Sequence, residues 1–178
     1  LLLKFNQTII DYYGGNSKVI LIKNWSNYNM CIDGIEFEKH SNRSIAYYGK
    51  YDYAYGHTKH KAKEIPNNLI DLFKIEKINK ECNFEFNSVL VNLYSNGNDY
   101  VGFHADDEEN IDSSCIASLS YGDSRKFVIK NDKIKKEYIL DNGDLLIMYN
   151  MQDNFVHSIP KCKNANIRWN FTYRKMLW

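Results

Sequence analysis

The sequence predicts a mainly β (α+β) fold. Its core is a double-stranded β-helix, or jelly roll, with supporting helices on one face. Three observations predict it. Beyond residue 84, short apolar and aromatic runs follow one another, with turn signals such as Asn96-Gly97 and Asn142-Gly143 between them. Roughly ninety residues hold eight such runs, the strand number of a double-sheet jelly roll. The composition, 44% hydrophobic and 15% aromatic over 178 residues, is that of one domain with a substantial core.

The elements follow in chain order. "KVILIKNW" (18–25) reads as a strand, and "SNYNMCIDGIEF" (26–37) as a helix with Ser26 as N-cap. "RSIAYYG" and "YDYAYG" read as two short aromatic strands joined at Gly49-Lys50. "IPNNLIDLFKIEKINKE" places Leu69, Leu72, Phe73 and Ile75 at helical spacing, with Pro66 near its start. The eight core strands are then "SVLVNLYS", "DYVGFH", "CIASLSYG", "RKFVIK", "EYILDNG", "DLLIMYN", "NFVHSI" and "IRWNFTYR". The chain thus divides into a lead-in, 1–84, and a β core, 85–178, within one compact structural domain.

The totals exclude several classes. A net charge of +1 carries no global attraction for polyanions, so nucleic-acid contact would need local patches. Three basic runs qualify: "HTKHKAK", "KNDKIKKEY" and "PKCKNANIR". They read equally as solvated faces, and His40, His57 and His60 are expected at the surface. Cys31, Cys82, Cys115 and Cys162 form no CxxC pair, which argues against a zinc knuckle or a disulfide scaffold. "LLLKFNQTII" is broken by Lys4, Asn6 and Gln7 and does not read as a signal peptide. No apolar run reaches membrane-spanning length. A soluble, intracellular monomer is expected, cytoplasmic or nuclear and not secreted.

The chemistry lies in "NDYVGFHADDEEN" (98–110). His104 and Asp106 are two apart, the spacing that puts side chains on one face of a strand. A second histidine, His157, falls in "NFVHSIPK". Two imidazoles and a carboxylate make the facial triad of non-haem Fe(II) oxygenases, which leaves open positions for other ligands. In "RWNFTYR", Arg168, Asn170, Thr172 and Arg174 share one face. Two guanidinium groups turned into a β core are costly unless an anion meets them, and their forks match carboxylates. Asn92 and Tyr94 in "VNLYS" share a face of another strand and supply further donors.

With these residues in order, "NSVLVNLYSNGNDYVGFHADDEE", "IASLSYGDSRKFVIK", "GDLLIMYNMQDNFVHSIPK" and "RWNFTYR" resemble the AlkB family of iron(II)- and 2-oxoglutarate-dependent dioxygenases. The resemblance is nearest to the nucleic-acid demethylases that repair N-alkylated bases. It implies Fe(II) on His104, Asp106 and His157, with 2-oxoglutarate and O2 as cosubstrates. It implies that Arg168, helped by Asn92 and Tyr94, holds the far carboxylate of 2-oxoglutarate. Arg174 would lie near the carboxylate at the metal, with Asn170 and Thr172 lining the pocket. The implied reaction removes methyl groups of the 1-methyladenine and 3-methylcytosine type, releasing formaldehyde, succinate and CO2. A regulatory RNA mark or a protein side chain is an alternative substrate, and a non-catalytic nucleic-acid-binding jelly roll a distant alternative.

The lead-in resembles the family's N-terminal nucleotide-recognition lid, with "RSIAYYGKYDYAYG" in the place of its hairpins. By that likeness Tyr53, Tyr55, Asp107 and Glu108 are substrate-binding. By residue type alone, the tyrosines suit a sheet and the carboxylates a wet turn. Ile35 or Phe37 stands where double-strand-specific relatives carry a hydrophobic finger, without convincing flanks. Methylated DNA or RNA, single strands slightly favoured, is the expected partner.

Overall fold

The computed structural model describes residues 7–27, 32, 34–55 and 58–178. A hairpin opens the chain: β1 (Thr8–Gly14) and β2 (Ser17–Ile22). Then come β3 (Glu38–His40), β4 (Arg43–Gly49), β5 (Tyr53–Tyr55) and β6 (Thr58–His60). A single 3-10 turn leads into α1 (Ile70–Phe73) and α2 (Ile75–Cys82). The core strands are β7 (Ser88–Tyr94), β8 (Val101–His104), β9 (Ile111–Gly122), β10 (Arg125–Lys130), β11 (Lys135–Leu140), β12 (Leu145–Tyr149), β13 (Val156–Ile159) and β14 (Arg168–Met176). All eight expected core strands are present.

They stack as two antiparallel sheets. The larger runs β1-β2-β12-β9-β14-β7-β4-β3 and the smaller β11-β10-β13-β8. Strands from before residue 85 therefore extend the large core sheet at both ends. Period-two alternation sorts the side chains between two cores. On β14, Phe171 and Tyr173 face an outer cluster with Leu72, Phe73 and Ile78 of the helices. Arg168, Asn170, Thr172 and Arg174 face the other way, toward the pocket between the sheets. Leu90 and Tyr94 of β7 share that inner side with Phe127 and Ile129 of β10.

Several expectations change. Ser26 caps no helix: its N–H donates to the Gly143 carbonyl at 3.0 Å, and its hydroxyl pairs with that of Tyr121 at 2.8 Å. No described residue of 26–37 is helical, and the remainder of that segment, 28–31 and 33, lies outside the described residues. The two aromatic strands are not partners. β4 inserts between β3 and β7, whereas β5 pairs β6. The 65–81 helix is broken where Lys74 takes a left-handed φ of 49°. Phe73 and Ile78, on either side of the break, both bury in the outer cluster. Ile35 and Phe37 pack, partly buried, against that cluster instead of projecting. His60 is buried and not a surface residue. Of the described cysteines, Cys82 and Cys115 are buried and Cys162 exposed, all as free thiols. No described helix is long and apolar enough to cross a membrane.

Candidate metal centre

His104 is the last residue of β8 and lies directly opposite His157 of β13. A bulge creates this pairing. Val101 pairs with Ile159, so three steps along β8 match two along β13. Both Val101 and His104 consequently line the pocket, while Phe103 is turned out to solvent. Nδ1 of His104 sits 2.9 Å from the Gly102 carbonyl. That contact fixes the ring, so Nε2 is the nitrogen that would face a metal. The His157 ring stacks on Phe127, with centroids 5.3 Å apart.

Asp106 arrives differently from the strand alternation expected of it. It lies beyond the end of β8, and partners distant in sequence place it. Nη2 of Arg174 donates to its Oδ1 at 2.6 Å, and its own N–H donates to Oε1 of Gln152 at 3.0 Å. Its Oδ2 makes no hydrogen bond and lies 3.7 Å from Nε2 of His157. One ligand atom from each of His104, Asp106 and His157 lies within 4.8 Å of the others. Burial raises the pKa of Asp106, but the charges of Arg174, His157 and His104 outweigh it and hold the carboxyl well below its usual range. Burial, then the charge of His104, pushes His157 down to about 3. The cluster therefore offers a carboxylate and neutral imidazole at neutral pH, the forms a divalent cation takes.

The pocket above it is polar by register. Asn170 lies opposite Asn92, and Arg168 opposite Tyr94. Nδ2 of Asn92 and the hydroxyl of Thr172 both donate to Oδ1 of Asn170, at 3.3 and 2.8 Å. Arg168 is fully buried, yet only Nη2 is satisfied, donating to Ser120 Oγ at 3.0 Å; Nε and Nη1 make no hydrogen bond. Burial chiefly, and the charge of Arg125 in part, lowers its pKa to about 10. A buried cation with unmet donors fits an anionic ligand.

The four residues expected at a base divide. Tyr53 is 1% exposed. Its ring lies 5.2 Å from the Arg174 guanidinium and 5.4 Å from Tyr47, and its hydroxyl donates to Oε1 of Glu108 at 3.2 Å. It supports the metal-side arginine from within the core. Glu108 is half-buried with Oε2 unbonded, and burial raises its pKa. Asp107 is exposed, and the Tyr55 side chain lies outside what is described.

Four contributors were not expected. Arg43 lines the pocket, its Nε donating to Oδ1 of Asn92 at 2.6 Å. Ser118 accepts from Asn170 at 2.6 Å, while Ser120 and Gln152 meet Arg168 and Asp106. The alternation of Ser118 and Ser120 in "CIASLSYG" was the signal for two of them. Within the basic runs, Lys59 pairs with Asp52, Lys63 with Glu38, Lys135 with Glu137 and Lys136 with Asp11.

The family model described as "2OG-Fe(II) oxygenase superfamily" matches residues 24–174. Human alpha-ketoglutarate-dependent dioxygenase alkB homolog 3 is 33% identical, covering 74% of this chain and 51% of its own length. DNA oxidative demethylase ALKBH2 of Arabidopsis thaliana is 34% identical, covering 52% of this chain and 38% of its own. The chain thus spans about half or less of the curated relatives it matches. The solved structure titled "The structure of OsALKBH1" superposes with a TM-score of 0.65 at 16% identity, covering 94% of this chain and 100% of that one. That likeness concerns the fold alone.

Proposed function

The chain belongs to the 2OG-Fe(II) oxygenase superfamily and, within it, to the AlkB family, and on that footing we propose that it is an oxidative demethylase of N-alkylated nucleobases. One observation carries the proposal: three convergent ligand atoms border a pocket whose buried arginine has unmet donors. These residues fit the implied groups. His104, Asp106 and His157 would hold Fe(II), with the unbonded Oδ2 of Asp106 as the carboxylate ligand. Arg168, with Asn92 and Tyr94, would take the far carboxylate of 2-oxoglutarate, while Asn170 and Thr172 line the wall. When bound, iron(II), 2-oxoglutarate and O2 together supply the oxidation that hydroxylates an N-methyl group, yielding succinate, CO2 and, after collapse of the hemiaminal, formaldehyde.

The chain's own residues orient and tune. Arg174 keeps Asp106 ionised and occupies Oδ1, which leaves Oδ2 for the metal. Gly102 sets which nitrogen His104 presents. Asp107, exposed, and Glu108, whose buried Oε2 makes no hydrogen bond, follow the ligands in sequence and would meet the exocyclic amine or positive edge of an N-methylated base. Tyr53 anchors Glu108 in this arrangement. A single-stranded substrate fits best, because Ile35 and Phe37 are committed to the core and flipping from a single strand costs less unstacking.

The test is mass spectrometry on DNA and RNA oligonucleotides carrying 1-methyladenine or 3-methylcytosine, with Fe(II), ascorbate and 2-oxoglutarate. The expected result is loss of about 14 Da per methyl group with release of formaldehyde. Asp106→Ala should abolish both. No mass loss from any oligonucleotide would overturn the demethylase proposal. Turnover of 2-oxoglutarate that no nucleic acid stimulates would point to a different substrate.

A further inference from the structure

Arg125, on β10, is one of the two largest fully buried side chains among the described residues; the other is Arg168. It does not line the pocket, and no described carboxylate forms an ion pair with either arginine. Its Nη2 donates to the carbonyls of Asp99 and Pro160, at 2.8 and 2.6 Å. Asp99 leads into β8 and Pro160 follows β13. One guanidinium therefore ties together the ends of the two strands that carry His104 and His157. Its Nε and Nη1 make no hydrogen bond.

The second contact links it to the pocket. The Arg125 guanidinium lies 5.4 Å from the centroid of the Tyr94 ring, and that of Arg168 lies 5.2 Å from the same centroid. One buried phenol ring thus serves two buried cations. Cation–π attraction is strongest where water is excluded, so each guanidinium helps fix that ring. Two like charges sharing a dry site repel, and a tying role alone would not require a charge there. A neutral donor could bridge the same carbonyls. The arrangement is relieved when an anion enters beside Arg168.

We propose that Arg125 is a positioning residue for the far carboxylate of the cosubstrate: through Tyr94 it holds Arg168 in place, and its charge makes the pocket select a dianionic 2-oxoacid over a monoanionic one. The proposal rests on the pocket being a 2-oxoglutarate site. It assigns Arg125 no contact with the cosubstrate.

The test uses the full chain loaded with Mn(II), a stand-in that does not turn over, and isothermal titration. The ligands are 2-oxoglutarate and 2-oxobutyrate, which keeps the chelating end and lacks the far carboxylate. Arg125→Met should weaken 2-oxoglutarate about tenfold and leave 2-oxobutyrate and Mn(II) within about twofold. Arg125→Lys, which keeps the charge but not the planar guanidinium fork, should lose about threefold on 2-oxoglutarate alone. Equal loss on both ligands, or loss on neither, would reduce Arg125 to a structural tie and overturn the proposal. Should Arg125→Met not fold, the lysine variant decides by the same discrimination. If the unaltered chain binds no 2-oxoglutarate, the reading of the pocket itself falls. If it binds and the variants discriminate as it does, only the role of Arg125 falls.

Discussion

His157 shows how much a single buried residue costs this fold. Its imidazole is held neutral down to about pH 3, chiefly by burial and then by the charge of His104. In the unfolded chain it titrates near its ordinary value of 6.5. Its folded pKa is lowered, so between these values the unfolded chain binds a proton that the folded chain refuses. Stability is therefore lost as pH falls below about 6.5 and is fully present above it. Metal-free protein should be less stable at pH 5.5 than at pH 7.5 by roughly 1 kcal/mol on this account. Urea denaturation at the two pH values measures it, and His157→Gln should flatten the difference. A slope unchanged in the variant would mean that another group titrates. At this scale the pocket wall was legible in advance. Arg168, Asn170, Thr172 and Arg174 sit on a strand, and a strand's period of two is local physics. Asp106 was legible as a member of the cluster but not in its placement. Arg174 and Gln152 hold it, 68 and 46 positions away, and no local pattern encodes such partners. Tyr53 went to the core for a similar reason: its neighbours are Arg174, Tyr47 and Glu108, none adjacent in sequence.

At the scale of elements, the two histidine strands depend on the loops that bracket them. Gly97 lies between β7 and β8, and its carbonyl accepts from the Cys162 N–H at 2.9 Å. A Cβ built on it would stand 1.7 Å from the Cys162 carbonyl oxygen, so the backbones themselves would have to part. Gly97→Ala should cost at least about 2 kcal/mol and weaken Mn(II) binding, since the loop after Gly97 leads into β8. Gly102, inside the bulge, offers the control. A Cβ there meets nothing within 4 Å, so Gly102→Ala should stay within roughly 0.5 kcal/mol. Thermal or urea unfolding of the two variants makes the comparison. Equal effects would mean that the close approach at Gly97 relaxes freely. The core strands were legible because each is a short apolar run between turn residues. The N-terminal hairpin was only half so: β2 reads as a strand, β1 does not. β1 is an edge strand, alternately exposed and half-buried, and Lys4, Asn6 and Gln7 just ahead of it dilute its apolar signal. The pairing of β4 with β7 was also hidden, because register across the sheet is set by long-range packing and not by the aromatic residues that β4 and β5 share.

Across the whole molecule, the inner space between the sheets carries more positive charge than its own side chains balance. Arg174 has Asp106, whereas no described carboxylate pairs with Arg168 or Arg125. A fold that buries such cations sacrifices stability unless a ligand completes the site. Ligand binding should therefore be visible as stability, apart from any turnover. With Mn(II) and 2-oxoglutarate each at about 100 times its dissociation constant, each would add roughly 2.7 kcal/mol, a rise of several degrees in melting temperature for a chain of this size. Mn(II) should act alone, but 2-oxoglutarate should act strongly only after Mn(II), because on the proposed reading chelation would supply one end of its binding and Arg168 the other. Asp106→Ala should abolish the response to both. Arg168→Met should keep the response to Mn(II) and lose most of the response to 2-oxoglutarate, and it should itself be stable, since it removes an unpaired buried charge. Differential scanning fluorimetry on the three proteins separates these outcomes. If 2-oxoglutarate stabilised the Arg168→Met variant as fully as the unaltered chain, the unmet donors of Arg168 would not be the anion's seat. The metal triad would then stand without the pocket wall that gives it a cosubstrate.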